Sequence, residues 1–202
     1  MKKNVILVLT GVLLCFTFVQ CKSKEDKALA VIKDYFFNTM ADFNSYQPIE
    51  TIIDSAFQTC CTDRLALSYA NDYFFNMGIY RKELNIAKNY LSLPNGNNAY
   101  EQKKASAQEY LNDAYSARDR ILDLDSVYYS DPQELAFLGW KVTHKYRCRT
   151  NEGLFDVETA DFIIDEKFKE VLFTTVDEQY KRNIDYIRYL LLSKKNNTYG
   201  DE

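Results

Sequence analysis

Residues 138–149 read LGWKVTHKYRCR and carry the clearest strand pattern in the chain. Apolar and polar side chains alternate along this stretch, as they do on a strand that has one face in the core. One face holds Leu138, Trp140, Val142, His144, Tyr146 and Cys148, and the other holds Lys141, Thr143, Lys145, Arg147 and Arg149. The period of two predicts a β-strand whose first set of side chains points inward.

Three further strands are predicted around this one. The Asn-Glu-Gly sequence at 151–153 predicts a hairpin turn into a strand at 154–164, and a second turn leads into a strand at 168–176. Together these strands would form a β-meander over 137–176. Alternation also predicts an earlier strand at 49–57, and its shared face would hold Ile49, Thr51, Ile53, Ser55 and Phe57.

Helices are predicted before, between and after the strands. Apolar side chains at three- and four-residue steps predict helices at 25–43 and 177–193. Two longer helices are predicted at 64–93 and 98–126, on either side of a Pro-Asn-Gly-Asn turn. The first offers bulky aromatic side chains and the second small alanines, which complement one another. We therefore expect residues 64–126 to form an antiparallel helical hairpin.

This order of elements predicts an α+β fold. It comprises an N-terminal helix, an antiparallel sheet of about four strands, an inserted helical hairpin and a C-terminal helix, with helices against one face of the sheet. Asn98, followed by Glu101, predicts a capping box for the second hairpin helix. A single domain is expected at 28–193, preceded by a charged tether at 21–27 and followed by a flexible tail at 194–202.

The N-terminus has the pattern of a bacterial lipoprotein signal. Two lysines precede an apolar run at 5–19, and Cys21 follows it. In that chemistry residues 1–20 are removed and the Cys21 thiol receives a diacylglycerol, which anchors the protein to a membrane. The run is shorter than the ~20 apolar residues of a spanning helix. Gln20 stands where a small residue is usual, so an uncleaved anchor and an ordinary signal peptide remain alternatives.

Composition limits the classes of partner. Without residues 1–20, the remaining 182 residues hold 23 basic and 29 acidic side chains, a net charge of −6. This balance argues against nucleic acid as a partner, because nucleic-acid-binding proteins need a basic footprint. The length fits one domain with a substantial core. Sixteen tyrosines and thirteen phenylalanines can fill that core or leave amphipathic edges for a partner.

Three cysteines follow the acylated one: Cys60, Cys61 and Cys148. An odd number cannot all pair within one chain. We expect free, buried thiols, because free cysteine is among the most buried residue types. A bridge from Cys60 or Cys61 to Cys148 is the alternative.

Several stretches resemble small secreted lipoproteins of the Bacteroidota, which are largely uncharacterised. Residues 42–50, DFNSYQPIE, are similar to their N-D-P-x-S-Y-x-P segment, with Phe43 in place of its first proline. Residues 139–147 and 161–165 resemble their closing meander, which is cystatin-like or NTF2-like. Lys-Glu-Asp at 24–26 resembles the export signal of such proteins. The resemblance implies a lipid-anchored protein of the outer membrane, surface-exposed or on the periplasmic side, and it implies no activity.

The candidate ligand-binding residues lie on the predicted inner face of the meander. A cystatin- or NTF2-like cone could enclose a pocket lined by Trp140, His144, Tyr146 and Phe162. His144 is the only histidine, so any enzyme of the Ser/His or Cys/His type would be centred on it. Cys148 lies four residues away on the same strand, roughly 13 Å at 3.3 Å per residue, which is too far for a catalytic pair.

The outward lysines and arginines of the 138–149 stretch form the most concentrated positive charge in the chain. We expect this face to be solvated and paired across to Asp156 and Glu158. The alternative is a patch for an anionic glycan or a lipid headgroup.

The sequence favours a non-catalytic lipoprotein of the bacterial envelope. Its partners would be the membrane, reached through the lipid on Cys21, and an envelope protein or glycan, reached through the helical hairpin or the meander. No cofactor or metal is expected. A small-ligand binder with a cone-shaped pocket and an enzyme centred on His144 are the two alternatives.

Overall fold

The computed structural model describes residues 22–129, 131, 133–150 and 152–196. The predicted signal at 1–20, the predicted lipidation site Cys21 and the end of the predicted tail lie outside these residues.

Four antiparallel strands form one sheet in the order β1-β2-β3-β4. The strands are β1 Gln47–Phe57, β2 Phe137–Arg149, β3 Phe155–Asp165 and β4 Val171–Thr174. This confirms the predicted fold class and the meander. β4 is shorter than predicted because the chain first turns tightly over the Asp165 side chain, which accepts the backbone N–H groups of Lys167, Lys169 and Glu170.

Among the described residues, the helices agree with the sequence pattern in number and place. They are α1 Lys24–Thr39, α2 Arg64–Tyr90, α3 Asn97–Tyr128 and α4 Glu178–Lys195, with short 3₁₀ turns at Phe43–Ser45 and Cys60–Thr62. α1 begins within the predicted tether, because Ser23 and Asp26 form a capping box there. It ends at Thr39, four residues before the predicted end, and α4 runs two residues past the predicted Ser193.

The two hairpin helices begin in different ways. Asp63 caps α2, since its carboxylate accepts the N–H groups of Leu65 and Ala66 at 2.7 and 3.0 Å. α3 begins one residue earlier than predicted, after Gly96, and no side chain caps it. The capping box predicted from Asn98 was therefore wrong, although the antiparallel hairpin itself is present.

The part of the chain that the structure describes has two hydrophobic cores. In the first, Ala28, Ile32 and Phe36 of α1 pack on the face of β2 and β3 that carries Val142, Tyr146, Ala160, Phe162 and Ile164. In the second, the base of the α2–α3 hairpin packs against Ile184, Ile187 and Leu190 of α4 and against Cys60. The expectation that all helices would lie against one face of the sheet was wrong, because α1 covers the face that carries Val142 whereas Ile184 of α4 lies beside Lys141 and Ile163 on the opposite face.

Candidate functional site

The four predicted ligand-binding residues lie on the α1 side of the sheet, where the alternation had placed them. His144 and Phe162 are fully buried and Tyr146 nearly so. The Phe36 ring of α1 lies 4.7 Å from the Tyr146 ring and 5.6 Å from the Phe162 ring, measured between centroids. Side chains of α1 therefore fill the space that a ligand would need between these residues.

Trp140 lies apart from the other three. It is partly exposed at the opposite end of β2, where its indole N–H donates to the Glu166 carbonyl at 3.1 Å. The structure brings His144, Tyr146 and Phe162 together, with the His144 and Tyr146 rings stacked 5.7 Å apart. This packing argues against a ligand pocket formed by the predicted set.

His144 is held by two hydroxyl groups of the core. Its Nε2 atom lies 2.8 Å from the Tyr46 hydroxyl oxygen, and its Nδ1 atom lies 3.0 Å from the Thr51 hydroxyl oxygen. Burial lowers the pKa of His144 below its ordinary value of 6.5, so the ring is neutral at pH 7. Both ring nitrogens therefore have hydroxyl groups as hydrogen-bond partners, and neither hydroxyl belongs to a catalytic nucleophile–base pair. This environment is typical of a structural histidine.

The three described cysteines are free, as expected. Cys60 belongs to the core around α4 and Cys148 to the core under α1, so the alternative bridge between them is not formed. Burial raises the pKa of Cys60 to about 12, and it also raises the pKa values of Cys61 and Cys148. These thiols are protonated at neutral pH, and a thiol is far less nucleophilic than a thiolate.

The basic face of β2 is arranged differently from the expectation. Asp156 pairs with Cys148 and Glu158 with Tyr146 across the hairpin, so both acids lie on the opposite face from the lysines and arginines. The predicted pairing with these acids was therefore wrong. A shift of one residue in the register of two strands moves every side chain of one strand to the other face of the sheet. Arg147 and Arg149 instead lie over the Phe155 ring, at 4.3 and 5.1 Å from its centroid.

A shallow cleft of about 210 Å³ lies between the end of β1, the outer face of the sheet and α4. Its charged side chains are engaged in ion pairs: Lys141 with Asp161 at 3.3 Å and Arg188 with Asp185 at 3.7 Å. Sequence reasoning missed this cleft because its walls come from segments more than a hundred residues apart. The geometry assigns no reaction to it.

The distal part of the α2–α3 hairpin extends beyond the contacts that join the hairpin to the body. The hairpin joins the body near its base: the Tyr73 ring stacks 4.2 Å from the Tyr186 ring, and Lys194 lies 3.8 Å from Asp125. We call residues 75–113, which lie beyond these contacts, the helical arm. From Phe74 to Tyr90 an α-helix extends about 24 Å at 1.5 Å per residue.

The arm buries small side chains and leaves larger ones accessible. Ala87 and Ala107 are fully buried between its helices, and Lys103 pairs with Glu83 across them at 2.9 Å. Phe75 is 68% exposed. An aromatic ring displayed on a projecting helix is a common anchor of protein–protein contacts.

Four aromatic side chains gather at the end of the sheet where β1 ends and β2 begins. We call this set, Phe57, Phe137, Trp140 and Phe168, the aromatic end. The start of α1 lies here, because the Lys24 ammonium is 3.7 Å from the centroid of the Trp140 ring. The chain therefore enters the domain at the aromatic end.

The arm points away from this end. Near its start, α2 shares a cleft with Leu138 and Leu172, which are close to the aromatic end. One to two turns later, Asn71 shares a cleft with Thr174 at the far end of β4. α2 thus starts near the aromatic end, and its Asn71 lies next to the start of α4, just past the end of β4, where the Asn71 side-chain oxygen accepts hydrogen bonds from Gln179 and Asn183 at 2.7 Å.

Within the described residues, no helix combines the length and hydropathy needed to cross a bilayer. Compared with protein-family models, with curated proteins and with solved structures, the chain shows no match in any of the three.

Proposed function

We propose that the chain is a lipid-anchored protein of the bacterial envelope that binds another envelope component through its helical arm. The anchor is supported by the signal pattern at 1–20 and the cysteine that follows it. The single observation that carries the binding role is the arm itself, a two-helix projection that joins the body near its base. Outer-membrane localisation rests on the resemblance to Bacteroidota lipoproteins and is part of the proposal.

The arm suits contact with a protein partner better than it suits structural support. A helix pair held together by alanines has close backbones and a thin core, and it contributes little to the two cores of the body. Its surface offers Phe75 and the half-buried edges of several tyrosines to a partner groove. Helix faces recognise partners through such side chains at three- and four-residue spacing.

The first experiment tests the anchor. The full chain is expressed in its native membrane setting, and the mature protein is analysed by mass spectrometry. We expect an N-terminal Cys21 that carries a diacylglycerol. A protein that retains residues 1–20, or that starts at another residue, would refute the anchor.

The second experiment tests the arm. A photoreactive amino acid is placed at Phe75 on the arm or, as the matched control, at Val157 on the exposed face of β3. Irradiation of intact cells should give one defined adduct from position 75. That adduct should disappear when residues 80–106 are replaced by a four-residue glycine-serine turn. A short turn can join the helices at these bounds, because the facing pair Glu83 and Lys103 shows that residues 80 and 106 lie opposite each other. Adducts from position 157 alone, or from neither position, would contradict the arm.

A further inference from the structure

We propose that the aromatic end of the sheet rests on the surface of a lipid bilayer and holds the arm pointing away from it. This inference rests on the proposed lipid anchor. It adds a second membrane contact, made by the folded domain, and with it a fixed orientation.

The stretch of chain between the proposed anchor and the fold is short. Lys24 follows Cys21 by three residues, which span at most about 11 Å when fully extended. The capping box between Ser23 and Asp26 fixes the start of α1 at that point, so the described chain has no long flexible linker there. An acylated Cys21 would therefore hold the aromatic end next to the lipid headgroups.

The surface held there is rich in exposed aromatic rings. Phe57 is 47% exposed and Phe137 is 43% exposed, and their rings pack edge to face at 6.0 Å. Beside them the Trp140 and Phe168 rings are stacked 5.5 Å apart. Tryptophan is enriched at membrane–water interfaces, and exposed phenylalanine rings lose their contact with water when they enter the headgroup region.

Two lysines lie against two of these rings, as is expected of an interfacial site. Lys24 lies over the Trp140 ring, and Lys27 lies 5.9 Å from the centroid of the Phe168 ring. At a bilayer surface either ammonium could turn from its ring toward lipid phosphates, and the methylene stem would then cover the aromatic surface. Glu25, Asp26 and Glu166 are exposed nearby, so the charges at this end are mixed. We therefore expect aromatic burial, with little dependence on salt, to dominate the contact.

The backbone at this end supports the same assignment. Phe168 has a φ of 56°, a left-handed conformation that side chains other than glycine rarely adopt. This conformation, set by the turn around Asp165, places the ring on Trp140. Strained positions of this kind persist where the surrounding structure holds them, and they often mark functional surfaces.

Trp140 is the only tryptophan, so its fluorescence reports on this end directly. Acylated protein purified from membranes is reconstituted into vesicles of phosphatidylethanolamine and phosphatidylglycerol that contain a lipid with a nitroxide on its headgroup. We expect the nitroxide to quench the Trp140 emission. In a Trp140→Phe background, Phe137→Trp should be quenched as well, whereas Phe75→Trp on the arm should keep its emission.

The outcomes separate this inference from the anchor. If the protein is acylated and stays with the vesicles but neither Trp140 nor Phe137→Trp is quenched, the docking surface is wrong and the anchor stands. If Phe75→Trp is quenched as strongly as Phe137→Trp, the proposed orientation is wrong. If mass spectrometry finds no acyl group on Cys21, both the anchor and the docking inference fall. The double variant Phe57→Ser, Phe137→Ser should remain bound to the vesicles through its acyl chains but show weaker quenching at Trp140, because the rings no longer enter the headgroup region. Unchanged quenching would show that the tether alone places this end at the membrane and would overturn the docking surface.

Discussion

The Nε2 atom of His144 lies 2.8 Å from the hydroxyl oxygen of Tyr46. This contact joins the middle of β2 to the segment between α1 and β1, in the part of the core that α1 covers. The His144 and Tyr46 rings lie 5.9 Å apart, and the Tyr146 ring packs against both. The only histidine of the chain thus holds a loop to the sheet, and we expect its protonation to be coupled to folding.

Lowering the pH from 7 to 5 should destabilise the protein through His144. Its pKa is lowered by burial in the folded state, while the unfolded chain has an ordinary value near 6.5. The unfolded state therefore binds a proton first, so stability is fully present above pH 6.5 and falls as the pH drops toward the folded pKa. One proton gives a slope of at most about 1.4 kcal/mol per pH unit.

Urea unfolding at several pH values measures this slope, and His144→Gln is the control. The carboxylates contribute equally to both proteins, so the difference between the two slopes isolates the imidazole. A His144→Gln protein with the same slope as the original would show that the histidine is not coupled to folding.

Phe36→Ala should destabilise the protein by about 3–5 kcal/mol, the usual cost of removing a buried aromatic ring. The ring is buried among Tyr46, Tyr146 and Phe162. Phe37, the next residue, is 67% exposed, so Phe37→Ala should change stability by only about 0.5 kcal/mol. Denaturant unfolding measures the loss of stability in each variant. Equal losses would mean that α1 turns a different face toward the sheet.

Gly139→Ala should destabilise the protein by more than about 1 kcal/mol. Gly139 has a φ of 149°, and a Cβ atom there would lie 2.1 Å from the Ile164 carbonyl oxygen. Gly78, in the middle of α2, has open space around it, so Gly78→Ala should stabilise by roughly 0.5–1 kcal/mol through helix propensity. Thermal unfolding should shift in opposite directions for the two variants; a stabilising Gly139→Ala would contradict the close approach of β2 and β3.

Asp63→Ala should cost about 1–2 kcal/mol, since it removes the cap of α2. The same carboxylate accepts a hydrogen bond from Tyr129, just past the end of α3, at 2.5 Å, so it ties the two ends of the hairpin together. Burial by itself would raise the pKa of Asp63, but the hydrogen bonds from Tyr129 and from the amides of Ala66 and Leu65 outweigh it and lower the pKa. Its stabilisation is therefore present above pH ~4 and lost as the pH falls through the lowered value.

Chemical unfolding at pH 7 compares Asp63→Ala with Asp63→Asn, which keeps the cap but loses the charge. Asp72→Ala, on the exposed surface of α2, serves as the matched control and should have little effect. If Asp63→Asn were as destabilised as Asp63→Ala, the charge rather than the cap would carry the effect.

Local patterns in the sequence were sufficient for the elements and for the class of fold. The alternation at 138–149 predicted both the strand and its inward face, and Val142, His144 and Tyr146 are buried as expected. The three- and four-residue steps predicted the four helices seen in the described residues, with errors at their ends of up to four residues. Such patterns succeed because a strand or a helix repeats its own geometry along the chain, so a buried face marks the sequence periodically.

Only the tertiary structure decided how those elements pack and which pockets and surfaces they form. Whether the inner face of the meander held a pocket depended on Phe36 of α1, more than a hundred residues from Tyr146, whose ring fills that space. Whether Asp156 and Glu158 of β3 faced the lysines and arginines of β2 depended on the register of the two strands. A shift of one residue moves every side chain to the other face of the sheet. The aromatic end, where Lys24 lies over Trp140, joins distant segments in the same way. Periodicity shows on which face of its own helix or strand a residue lies. Contacts between elements depend on how those elements pack, and no single stretch of sequence encodes that packing.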